Sequence, residues 1–147
     1  VLISFNLKWF VMTSNNSESI NYETLSSGDI VSKRSYVIDE KIVNDYLLST
    51  QDTNSKKLTS NIPSMIIAAL GLRGVVNDLK IPGGTLHVGQ EINFTSSVSI
   101  GETLQCEAHL ISNTVRKDWR FISVGIKVRN KNNTLVMEGK SSIMLPA

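Results

Sequence analysis

Four stretches in the second half of the chain alternate apolar and polar residues with a period of two. Thr85 to Val98 sets Leu86, Val88, Gln90, Ile92 and Phe94 against His87, Gly89, Glu91 and Asn93. Thr103 to Val115 sets Leu104, Cys106, Ala108 and Leu110 against Gln105, Glu107 and His109. Trp119 to Arg129 puts Ile122, Val124, Ile126 and Val128 on one face, and Thr134 to Leu145 completes the set. This patterning predicts antiparallel strands with one packed face and one wetted face. Ile100-Gly101-Glu102, Arg116-Lys117-Asp118 and the asparagine-rich Asn130-Lys131-Asn132-Asn133 are the turns between them.

The first half reads differently. Ile30 to Ile38 follows the turn Ser27-Gly28-Asp29 and predicts one more strand. Asp39 is placed to cap a helix over residues 40–49, with Ile42, Val43, Tyr46 and Leu47 as its apolar stripe and Glu40 at the positive end of its dipole. Thr50 to Asn61 is polar and predicts a loop. Pro63 opens a helix running to Leu79, with proline tolerated in a first turn because its missing amide hydrogen has no partner there. Only Arg73, Asn77 and Lys80 make a polar stripe, so the helix must be buried nearly all round. Gly71 and Gly74 cost helix propensity, and their expected return is close approach of a neighbouring backbone. Pro82-Gly83-Gly84 ends the segment.

A helix this apolar cannot lie on a flat sheet with its back in water. The pattern therefore predicts an α+β fold in which a curved antiparallel sheet wraps around the long helix. A second copy would cover more of the helix and pair exposed strand edges, so at least a dimer is expected.

Composition narrows the function. The 147 residues suit one domain, placed over residues 25–147. A net charge of +2, with no basic run longer than two residues, argues against a nucleic-acid partner. The single cysteine, Cys106, excludes an intrachain disulfide, lies in an apolar alternation, and fits a cytoplasmic setting. Residues 1–24 read as a disordered N-terminal segment or one derived from outside the natural protein. The apolar stretch VLISFNLKWFV before Met12 is too short to span a membrane, and it lacks the features of a signal peptide. Met12 reads as the natural initiator, with an extra edge strand as the alternative for residues 1–11. The two histidines and one cysteine show no metal-ligand spacing, and no cofactor is expected.

Three pieces of sequence carry a resemblance: IPSMIIAALGLRG with the following IPGGTLHVGQEINFTSSVSIGETLQCEAHLIS, the stretch Leu86-His87-x-x-Gln90-Glu91-x-x-Phe94 with Val98-x-x-Gly101-Glu102-x-Leu104, and the closing Val128-x-Asn130…Leu135-Val136-x-x-Gly139-x-Ser141. Over residues 25–146 the chain resembles the MaoC-like dehydratase domains of the N-terminal type. The resemblance implies the hotdog fold. It also implies reversible hydration of a 2-enoyl thioester, carried on coenzyme A or an acyl carrier, to the (R)-3-hydroxyacyl form. The partners implied are that thioester and another hotdog chain, as homodimer or heterodimer, with no membrane.

The family's catalytic loop commonly reads G-D-x-N-P-x-H. Asp52 and Asn54 match the Asp and Asn; Gln51 and Ser55 replace the Gly and Pro; Lys57 stands where the His belongs. Imidazole can take and give a proton near neutral pH, whereas a lysine ammonium, with a pKa of about 10.4, is a poor base unless strongly desolvated. Three readings follow for QDTNSKK: an exposed turn, a degenerate site loop, or a working Asp52 site with a rearranged partner. His87 is either a structural histidine bridging backbone or Gln90, or a substitute acid or base. His109 is expected on the exposed polar face. By the same resemblance, the amides of Ser64 and Met65 at the start of the long helix would polarise the thioester carbonyl. Arg116, Lys117 and Arg120 read either as a solvated hairpin tip or as phosphate contacts. A non-catalytic acyl-binding subunit and an acyl-CoA thioesterase are the rival functions.

Overall fold

The computed structural model describes residues 20–52 and 61–147. Residues 1–19, with the expected initiator, and Asn54 and Lys57 of the catalytic-loop match lie outside the described residues. The elements run in the expected order: β1 (Ile30–Val37), α1 (Glu40–Thr50), α2 (Met65–Asp78), β2 (Leu86–Phe94), β3 (Thr103–Arg116), β4 (Trp119–Asn130) and β5 (Leu135–Pro146). The five strands form one antiparallel sheet ordered β1-β3-β4-β5-β2, so β1 and β2 are its edges.

Local chemistry accounts for the boundaries. The Asp39 carboxylate accepts from the Ile42 amide at 2.8 Å and caps α1. Gln51 ends that helix in the left-handed region, with φ of 54°. The Asn130–Asn133 turn closes the β4–β5 hairpin, with Asn133 at φ of 62° and the Asn130 side chain accepting two amides. β2 is shorter than its alternation predicts. After Phe94 the chain turns away: the amides of Thr95 and Ser96 both go to the Val136 carbonyl, and the Val98 carbonyl takes the Ile62 amide at 2.8 Å.

α2 is the buried rod that the sequence demands. Ile66, Ile67, Ala68, Leu70, Gly71, Gly74 and Val75 are all buried, while Arg73, Asn77 and Lys80 face out. It packs on β1, β3 and β4 and less on β5, so β2 carries the sheet past the helix. Both helical glycines mark close approaches, but of side chains and not of the backbone expected from the sequence. A Cβ at Gly71 would lie 3.0 Å from Ile126 Cγ2, and one at Gly74 would lie 2.9 Å from Ser32 Oγ.

Ordered structure begins before the boundary drawn at residue 25. Tyr22–Thr24 form a 3-10 turn capped by Asn21. The Tyr22 hydroxyl donates to the Leu79 carbonyl at 2.7 Å, so this segment caps the far end of α2. The Asn113 amide donates to the Tyr22 and Leu25 carbonyls, and Arg120 donates to Asn113 Oδ1 at 2.9 Å. Arg120 is therefore not part of a solvated hairpin tip; it is 8% exposed and turned inward. Arg116 and Lys117 remain exposed at the turn.

Candidate active site

The start of α2 is assembled from two segments. The Ile62 amide is tied to Val98, and Asn61 bridges to Ser99, which fixes where the chain enters the helix. The Ile66 amide donates to the Pro63 carbonyl at 3.1 Å and the Ile67 amide to the Ser64 carbonyl at 3.0 Å. The amides of Ser64 and Met65 donate to nothing among the described residues. Both residues are exposed, and the Ser64 side chain makes no cap. Two unpaired donors at the positive end of a buried helix form a place where an oxygen carrying developing charge can be held.

Asp52 follows the left-handed Gln51 at the end of α1, is half-buried, and donates its amide to the Leu47 carbonyl at 3.1 Å. Its carboxylate is close enough to act on Tyr46, whose phenol is pushed up first by burial and then by the Asp52 charge.

His87 takes a position that period-two reading does not give. Val88 is an extra residue in β2: His87 faces Ile143 across the ladder, while Gly89 faces Ser142. Such a bulge re-aims the side chains around it. His87 and Gln90, expected on opposite faces, therefore share one side. His87 Nε2 lies 3.0 Å from Gln90 Oε1 and 3.0 Å from Ser141 Oγ, and Ser141 is 1% exposed. The sequence offers Gln90 as a structural partner for His87; it does not offer Ser141, whose contact depends on the bulge. Asp52 is not a partner of His87, whose side-chain contacts among the described residues are these two.

No described contact joins His87 to the start of α2. Cys106 is buried and its thiol is pushed up to about 12 by that burial, so it stays an inert thiol at neutral pH. His109, expected to be exposed, is half-buried on the outer face, where its ring lies over Gly125. No helix of the described residues is long and apolar enough to cross a membrane.

No protein-family model and no curated protein sequence matches the chain. Solved structures do. The (R)-hydratase PhaJ1 of Pseudomonas aeruginosa superposes with a TM-score of 0.73 at 23% identity, over 87% of this chain and 86% of that one. A MaoC-like dehydratase of Rhodospirillum rubrum superposes with a TM-score of 0.64 at 15% identity, over 84% and 94%. The HadBC (3R)-hydroxyacyl-ACP dehydratase complex of Mycobacterium tuberculosis gives 0.61 at 16%, over 81% and 96%. A five-stranded antiparallel sheet around a buried α2, with these structures as its likenesses, gives this chain the hotdog fold that (R)-hydratases and MaoC-like dehydratases share.

Proposed function

We propose that this chain is a MaoC-like protein that binds an acyl thioester and hydrates its 2-enoyl form to the (R)-3-hydroxyacyl form. The observation that carries this reading is the pair of unpaired Ser64 and Met65 amides at the start of α2. Hydration places negative charge on the thioester oxygen as water adds to the β-carbon. Amide donors aimed at that oxygen bind the transition state better than the substrate, and losing one such donor typically costs about 100-fold or more in rate. Asp52 is the loop carboxylate that orients the water. The hydratases and dehydratases with this fold support the substrate class, and the HadBC complex is a precedent for pairing with a second hotdog chain.

Turnover of crotonyl-CoA, followed as loss of the enoyl absorbance, tests the reading. Hydration that falls at least about 100-fold in Asp52→Asn supports it. Lys57 in place of the loop histidine favours a second reading, an acyl-binding subunit that relies on a catalytic partner. Acyl-CoA binding without turnover selects that reading, and neither binding nor turnover rejects both.

A further inference from the structure

The exposed flank of α2 begins at the amides of Ser64 and Met65 and leads away from them. Met65, Ala69 and Arg73 recur at every fourth position and all three are exposed, so they follow one another along one side of the helix. Ala69 carries only a methyl group, which leaves a shallow track between the methionine and the arginine. The helical rise sets Arg73 about 12 Å from Met65 along the axis.

Arg73 has no partner among the described residues. Its cationic neighbours do: Arg34 holds Asp78, and Arg120 holds Asn113. Asp78, the one acid of α2, bonds Ser32 and Arg34 and leaves Arg73 alone. Beside Arg73 stands Tyr36. β1 turns Ser32, Arg34 and Tyr36 toward the helix, and Gly74 lets them approach; a Cβ at Gly74 would lie 3.5 Å from the Tyr36 hydroxyl. That hydroxyl donates to nothing among the described residues. Burial is the main cause that pushes the phenol above its ordinary value of 10.0, and the Arg73 charge acts on it in the opposite sense, so the two side chains are within electrostatic reach. At neutral pH Tyr36 keeps its proton and can donate it. A guanidinium and a neutral hydroxyl, neighbouring and both unpaired, suit a phosphate.

We propose that Arg73, aided by the Tyr36 hydroxyl, binds the phosphate that ends the pantetheine arm of the acyl thioester, with the arm lying over Met65 and Ala69. The inference rests on the acyl-thioester reading above. Pantetheine places about thirteen bonds between sulfur and phosphorus and extends about 15 Å, as a peptide of four to five residues does. With the carbonyl on the α2 start, the phosphate reaches Arg73 within that length. Coenzyme A and acyl carrier protein both bear this phosphate, so the contact favours either carrier over a pantetheine thioester that lacks it. It also supplies the cationic site that Arg120, turned inward, does not.

Four saturated, unreactive thioesters test the proposal by calorimetry: those of butyrate with pantetheine, phosphopantetheine, coenzyme A and acyl carrier protein. The phosphate should tighten binding about 10-fold between the first two, as one charge-assisted contact does. Arg73→Ala should erase that gain, Arg73→Lys should keep part of it, and Tyr36→Phe should lose part of it. Arg73 is exposed, so Arg73→Ala should melt with the parent and the loss is one of binding. The same variant should weaken butyryl-CoA and the butyryl carrier protein about 10-fold each, and the one that the parent binds more tightly is the carrier. Equal affinity for the pantetheine and phosphopantetheine thioesters, or a phosphate gain that survives Arg73→Ala, overturns the proposal and leaves the thioester reading standing. Binding of none of the four rejects both.

Discussion

Single atoms decide the packing at the edges of the sheet. A Cβ at Gly139 would lie 2.5 Å from the backbone oxygen of Glu91 in β2, and a backbone atom cannot step aside as a side chain can. Gly139→Ala should cost about 1–3 kcal/mol in chemical denaturation, at the cost typical of overpacking. A variant of unchanged stability would mean that β2 is not seated against β5 as described. At the N-terminal side, Tyr22→Phe removes the bond to the Leu79 carbonyl and should cost about 1 kcal/mol in the same experiment. The chemistry of individual residues was only partly legible in the sequence. Burial of Cys106 followed from alternation. The company of His87 did not, because an inserted residue at Val88 reverses the parity on which facing is counted. Arg120 departs from the expectation because charge suggests solvent, while its buried guanidinium has the half-buried Asn113 as a partner.

At the scale of elements, α2 and β1 are joined by one polar staple. Asp78 accepts from both Ser32 and Arg34, and the Arg34 guanidinium is the main cause that holds its carboxyl below the ordinary carboxylate value of 3.8. A carboxylate whose pKa is lowered on folding stabilises the protein above the unfolded value and loses that contribution as pH falls through the folded one. Asp78→Asn should therefore lower stability at neutral pH, by no more than about 1 kcal/mol given the partial exposure of the pair. The gap between variant and parent should close below pH 3.8. A gap that persisted unchanged at pH 2 would sink this assignment. The elements themselves were the most legible feature. Both helices and all five strands occur in the expected order because those signals are local, but β2 stops at Phe94 and buries no residue fully, so its alternation overstated both its length and its packed face. The sheet order was not local information. Alternation marks which faces are buried but not that β2 returns beside β5, and nothing in the strand pattern announces which edge the helix leaves uncovered.

The whole molecule is organised around one apolar helix that a single sheet covers incompletely. If two copies pair along β2, stability depends on protein concentration, and the melting temperature should rise as the concentration rises. A melting temperature independent of concentration, with a monomer in sedimentation, contradicts the pairing. The candidate residues are divided in the same way: the amides at the start of α2 belong to residues local in sequence, Pro63 to Met65, whereas the contacts of His87 depend on a bulge. The central claim is that an acyl carbonyl docks on the free amides at the start of α2. Its most direct measurement is a backbone amide NMR titration with a non-reactive saturated acyl-CoA. The account predicts that the Ser64 and Met65 resonances move downfield and saturate together, ahead of other backbone amides. Saturable binding that leaves those two resonances unmoved would contradict it.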